Sequence, residues 1–181
     1  MKTTLMMAVV TEIAIGFAAL LAGEHAEKTK PPTAGVAVLI PTAGNSVQGI
    51  LHLKAVGESL EITGQVKGLK PGEHGFHIHE FGDLTAADGS AAGGHYNPSG
   101  HEHGSPDAGD HHAGDLGNIT ADDQGIAAVN KVAKDLKLSE IMGRSFVVHA
   151  GPDDLKSQPS GDSGPRVAVG VIGYKKETKA K

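Results

Sequence analysis

The sequence predicts an all-β domain, either a sandwich or a barrel. Three observations carry that prediction. Short apolar or alternating runs recur along the chain, turn residues rich in Gly, Pro and Asp separate them, and only Lys134 to Met142 has room for a helical turn. Many short strands with such punctuation are the pattern of sheet packed on sheet or of a closed sheet.

The elements follow in order. Val36 to Ile40 is an apolar, β-branched run that ends at Pro41. Val47 to Val56 alternates in patches, with Val47, Gly49, Leu51 and Leu53 on one side and Gln48, His52 and Lys54 on the other. Leu60 to Lys67 alternates with period two, the mark of a half-buried strand. Pro71-Gly72 is a turn signal, and Phe76-His77-Ile78-His79 alternates after it. Because side chains two apart on a strand share a face, His77 and His79 point the same way. Asp122 to Gly125 is another turn, and Gly125 to Val132, Ser145 to His149 and Val167 to Ile172 are further strands. No internal repeat interrupts this order.

The chain of 181 residues allows one domain with trimmings. Residues 1–22 combine Lys2 with the apolar run Leu5 to Ala22, which reads as a signal peptide or an N-terminal anchor. Residues 23–34 hold Pro31 and Pro32 and read as a linker. Residues 35–174 form the domain, and the charged stretch 175–181 is a tail. The expected location is therefore outside the cytoplasm, periplasmic or extracellular. A membrane contact is expected only if the N-terminal segment stays uncleaved.

Composition excludes several classes of function. There is no cysteine, so there is no disulfide, no thiolate metal site and no cysteine nucleophile. Lys and Arg number 16 against 21 Asp and Glu, a formal charge of −5 that argues against nucleic-acid binding. The leader does not change this, because Lys2 and Glu12 cancel. What the chain has instead is 11 histidines, and neutral imidazole is a favoured metal ligand.

Two stretches do not fit strands. Gly82 to Gly114 carries His95, His101, His103, His111 and His112, and Gly151 to Pro165 is rich in Gly, Ser, Pro and Asp. Long loops without secondary structure are usually functional or disordered, and five histidines favour a loop ordered by metal. His95, His103, His112 and Asp115 offer four nitrogen and oxygen donors without sulfur, a set that suits zinc. His149 closes an apolar strand and could join His77 and His79, and imidazole-only sets suit copper. Residue by residue, a histidine-rich loop that picks up any divalent ion explains the same pattern. At 111 and 112 either neighbour could be the ligand.

Several motifs together resemble the copper/zinc superoxide dismutase family. They are Gly75-Phe76-His77-Ile78-His79-Glu80-Phe81-Gly82-Asp83, Gly94-His95-Tyr96-Asn97-Pro98, His112-Ala113-Gly114-Asp115-Leu116-Gly117-Asn118, Val147-Val148-His149, Pro152-Asp153-Asp154-Leu155 and Gly164-Pro165-Arg166. They stand in the family's order from about Val36 to Gly173. The resemblance implies an eight-stranded Greek-key β-barrel or sandwich with long metal-binding and electrostatic loops. It implies copper on His77, His79, His95 and His149, and zinc on His95, His103, His112 and Asp115. His95 would bridge the two ions, and Asp153 would hydrogen-bond the far nitrogens of His77 and His103. Arg166 would receive the anionic substrate, superoxide, and His74 would be structural. The implied reaction is dismutation of superoxide to dioxygen and hydrogen peroxide through a Cu(II)/Cu(I) cycle with the zinc-linked His95, as protection against extracytoplasmic superoxide. A homodimer is possible within the family pattern. A protein of this type that stores or delivers metal would lack a ligand or the arginine, and both are present here. His25 and His52 read as solvated.

The chain departs from the family at the disulfide that usually ties the loop before the bridging histidine to the last strand. The corresponding positions are Asp88 or Gly89, and Val169. A cross-link there closes a loop of roughly 80 residues and would contribute about 4–5 kcal/mol in the chain-entropy account. Burying Val169 would return about 1.5–3 kcal/mol. Metal must therefore supply more of the loop's order. His79 and His95 also stand one residue further apart than is usual in the family. The short Gly151 to Pro165 loop resembles that of bacterial members.

Overall fold

A computed structural model describes residues 33–176. Eight antiparallel strands close into a barrel in the order β1-β2-β3-β6-β5-β4-β7-β8. They are β1 Ala34–Pro41, β2 Gln48–Val56, β3 Ser59–Lys67, β4 Gly72–His79, β5 Asp115–Ala121, β6 Ile126–Ala133, β7 Ser145–His149 and β8 Arg166–Tyr174. The β8–β1 pairing closes the circle, so no sheet edge is left open. The β3–β4 and β6–β7 connections each join strands that are not neighbours, which is the Greek-key signature. One short helix, α1 Leu138–Ile141, lies within the segment expected to hold a helical turn.

The period-two pattern sets which face is inside. Leu51 and Leu53 of β2 are buried while Ile50, His52 and Lys54 are exposed. Leu60, Ile62 and Val66 of β3 point inward beside them. At the centre Phe76 and Phe146 stack with ring centroids 5.1 Å apart. Apart from Tyr96 the remaining core is aliphatic, in keeping with a chain poor in aromatics.

β4 and β7 depart from simple alternation. Every residue from His74 to His79, and every residue of β7, is buried. Phe76, Ile78, Phe146 and Val148 face the core, so the outward set is His77, His79, Val147 and His149. Two loops cover that outward set, 80–114 between β4 and β5 and 150–165 between β7 and β8.

The structure corrects the sequence reading at two strands. β4 begins at Gly72, earlier than the alternation at Phe76, and β5 carries no alternating signal at all. Gly117 has φ +67 and Asn118 follows it, so turn-type residues mask a strand held by pairing with β4. The N-terminal segment, all but the end of the linker, His25 and the last five residues lie outside the described residues.

Val169 is buried against Val147 and Ala92, forming a small apolar cluster on the outer face. Ala92 sits in a single 3-10 turn, Ser90–Ala92, within the first loop. Where the resemblance would place a disulfide between the first loop and the last strand, Ala92 packs with Val169, and Val147 of β7 joins them.

Candidate metal centre

The two long loops fold over the outward histidines of β4 and β7. Backbone irregularities aim those side chains. The β4–β5 register shifts between Gly75 and His77, and the β7–β8 register shifts between Val148 and His149. Such bulges bend a strand and re-aim its side chains, and here they fall beside His77 and at His149. His95 reaches the same place from the first loop, paired with His79 as an isolated bridge.

Two clusters of donors result. Ligating atoms of His77, His79, His95 and His149 lie within 4.8 Å of one another, and so do those of His95, His103, His112 and Asp115. All seven side chains are buried, and His95 belongs to both groups. The structure therefore brings together every residue that the sequence reading placed in the two sets. It also separates His112 from its neighbour. His112 Nδ1 stands 3.3 Å from Asp115 Oδ1, while His111 Nδ1 turns away to the His112 carbonyl at 2.7 Å. His101 and His52 are exposed.

Four of the six rings are fixed through one nitrogen. His79 Nδ1–H donates to the Gly93 carbonyl at 2.9 Å, and His149 Nδ1–H donates to the Gly164 carbonyl at 3.0 Å. His77 Nε2–H donates to Asp153 Oδ2 at 2.8 Å, and His103 Nε2–H to Asp153 Oδ1 at 3.0 Å. Asp153 thus ties one ring of each cluster together. Such partners set tautomer and ring orientation. His74 sits behind the site, its two nitrogens each 2.8 Å from a carbonyl, those of His149 and Lys70.

The opposite nitrogens test whether metal fits. His77 Nδ1, His79 Nε2, His95 Nε2, His103 Nδ1 and His149 Nε2 are buried with no hydrogen-bond partner among the described residues. A buried orphan of this kind costs about 1–3 kcal/mol, so a cluster of them needs an electrophile to satisfy it. In the second cluster Asp115 Oδ1 lies 2.7 Å from His95 Nδ1, 3.0 Å from His103 Nδ1 and 3.3 Å from His112 Nδ1. His112 Nδ1 and His95 Nδ1 are 3.4 Å apart. A tetrahedral zinc site with bonds near 2.0–2.1 Å has ligand-to-ligand edges of about 3.3 Å, so the donor set fits zinc. Asp115 Oδ2 accepts N–H bonds from Gly104 and His112, which leaves Oδ1 for the site.

The local electrostatics keep the donors deprotonated. Burial pushes the His77 and His79 imidazoles well below their usual range, and neighbouring His95 and His149 add to this. Burial likewise pushes His149 down to about 4. Burial tends to raise the Asp115 carboxyl, but hydrogen bonds from His95 and from the Gly104 and His112 amides hold it far below the carboxylate range. Neutral histidine and ionised aspartate are the forms that bind metal.

A stability prediction follows for the metal-free protein. Unfolded histidines take up protons near 6.5, whereas folded His149 resists until about 4. Between those values the unfolded chain binds more protons, so stability must fall as pH falls. Thermal melts of the metal-free protein from pH 7 to pH 5 should show a steadily falling Tm. A Tm independent of pH over that range would contradict the burial of neutral imidazoles.

A cleft of about 490 Å³ opens onto the first cluster, lined by His79, His95, His149 and Arg166 among others. The half-buried Arg166 guanidinium donates to the carbonyls of Gly89 and Gly93. Gly93 also receives His79 Nδ1–H, so one loop carbonyl fixes both a ligand and the cation.

Fold and site together define a class: a Greek-key β-barrel metalloprotein with two adjoining donor clusters that share one histidine. The family model for copper/zinc superoxide dismutase (SODC) matches residues 47–172, more than half of the chain. The chain belongs to that family, whose enzymes dismute superoxide and bind copper and zinc. Among solved structures it is similar to one described as "Crystal Structure Analysis of the clock protein EA4". The two share 34% identity and a TM-score of 0.73, with 81% of this chain and 97% of that one covered.

Proposed function

We propose that His77, His79, His95 and His149 hold copper, that His95, His103, His112 and Asp115 hold zinc, and that His95 joins the two. The buried, partnerless nitrogens on both sides of His95 carry this reading. Bound copper supplies one-electron redox chemistry between Cu(II) and Cu(I), which zinc lacks. The residues supply the rest. His95 lines the cleft, and its Nε2 would serve as a copper donor and, when released from copper, would hold a proton for the peroxide product. Asp115 Oδ1 stands beside His95 Nδ1 as a donor on the zinc side, and the Gly104 and His112 amides hold its Oδ2. Asp153 holds His77 and His103 in register. Arg166, permanently cationic and braced by two carbonyls, presents its free donors to the anion. A chain of formal charge −5 repels an anion at a distance, so attraction must be local to this arginine and the metals.

The apolar run Leu5 to Ala22 after Lys2 supports export and a role against extracytoplasmic superoxide. The test of the activity is superoxide dismutation by protein reconstituted with both metals, measured beside metal content. Turnover in proportion to bound copper is expected. Protein holding one copper and one zinc with no turnover would overturn the reading.

A further inference from the structure

The second loop grips His103 twice. Asp153 holds the ring at Nε2, 3.0 Å away. Five residues later, the Gln158 side chain holds the main chain of the same residue. Gln158 Oε1 accepts the His103 N–H at 2.8 Å, and Gln158 Nε2 donates to the His103 carbonyl at 2.9 Å. The amide thereby imitates one rung of an antiparallel ladder, 55 residues away in sequence. Asn118 does the same to Asp153: its Oδ1 accepts the Asp153 N–H at 2.7 Å and its Nδ2 donates to the carbonyl at 2.8 Å.

Three residues past Gln158 the loop backbone presses on the site. A Cβ at Gly161 would lie 1.8 Å from Asp153 Oδ1 and 2.7 Å from His103 Nε2, and its φ is +67. Only glycine fits there. With its ring held at Nε2 and its main chain held at both polar atoms, His103 has little freedom left. Its Nδ1 is left 3.0 Å from Asp115 Oδ1, among the second cluster's donors.

We propose that Gln158 is a positioning residue for the zinc-side cluster, fixing His103 by its main chain and so raising zinc affinity. The proposal rests on the reading of His95, His103, His112 and Asp115 as the zinc site. Among the described residues the Gln158 side chain hydrogen-bonds the His103 main chain and the Lys156 carbonyl and no donor atom of either cluster, so its effect should fall on one metal. Outer partners of metal ligands contribute roughly 10–100-fold to affinity. Gln158 is solvent-exposed, so the low end applies.

The test uses the full chain, stripped of metal, with zinc and copper dissociation constants measured by chelator competition. Cobalt(II) in place of zinc reports donor geometry through its visible absorption. Gln158→Met keeps the side chain's length and removes both hydrogen bonds. It should raise the zinc Kd about tenfold, leave the copper Kd within about twofold and alter the cobalt spectrum. Ser157→Ala is the control, because that hydroxyl bonds Asp154 and not His103. It should leave the zinc Kd and the cobalt spectrum unchanged. An unchanged zinc Kd in Gln158→Met would overturn the proposal. So would equal weakening of both metals, or an equal effect of Ser157→Ala, since each points to general loosening of the loop. If the unaltered protein binds no zinc tightly, the zinc-site reading itself fails, separately from the role of Gln158.

Discussion

Stripping both metals is expected to lower Tm by about 15 °C or more while leaving the barrel's β-sheet circular dichroism largely in place. The reason is local. His77 Nδ1, His79 Nε2, His95 Nε2, His103 Nδ1 and His149 Nε2 are buried and have no hydrogen-bond partner among the described residues. Each costs about 1–3 kcal/mol when left unmet, and on the proposed reading metal would satisfy them all. For a domain of this size, 1 kcal/mol moves Tm by about 2–8 °C. No covalent tie limits the loss, because the chain has no cysteine. The first loop is pinned to the last strand by Ala92 packed with Val169 and by Arg166. Amide exchange should therefore accelerate in residues 82–114 and 151–165, and far less in β1, β2 and β3. Calorimetry of metal-free and metal-loaded protein measures the shift. Melting temperatures within a degree or two of each other would show that the loops are ordered without metal.

Arg166→Ala is expected to lower kcat/KM for superoxide by about ten- to a hundredfold, with copper and zinc content unchanged. Arg166 lines the cleft beside His79, His95 and His149, yet it donates only to carbonyls and ligates nothing. On the proposed reading its contribution is to gather and orient an anion, which a protein of net negative charge needs at that one place. The rate of the unaltered enzyme should fall with added salt, and that of the variant should fall much less. Pulse radiolysis or stopped-flow decay of superoxide, with metal analysis of the same samples, makes the comparison. Loss of copper from the variant would show that Arg166 supports the metal rather than the substrate.

Most of the barrel was legible because period-two burial is written into β2, β3 and the inward half of β4. Leu51, Leu53, Leu60 and Ile62 could hardly face elsewhere. β5 was not legible. Its Gly117-Asn118 pair reads as a turn, and the strand exists through its pairing with β4. Asn118 stands there for a tertiary task, the clamp on Asp153, which no local pattern announces.

At the site, the donor types were legible and the choice between neighbours was not. His111 and His112 lie in a loop, where adjacent side chains follow no fixed period. Backbone bonds decide it: the His112 amide donates to Asp115 Oδ2 at 2.9 Å and turns that ring inward. Gln158 left no trace in the sequence reading. A lone glutamine beside a proline in a short loop gains meaning only when the loop folds onto His103. Its one sequence companion is Gly161, a glycine whose need becomes visible once Asp153 is beside it.

The central claim is that one histidine, His95, joins a copper site to a zinc site. Anomalous diffraction at the copper and zinc absorption edges, from crystals of protein reconstituted with both metals, tests it most directly. The account predicts a copper peak among His77, His79, His95 and His149 and a zinc peak among His95, His103, His112 and Asp115, with the His95 ring between them. Both metals in one cluster, or zinc at the exposed His101 and its neighbours with His95 bound to a single ion, would contradict it.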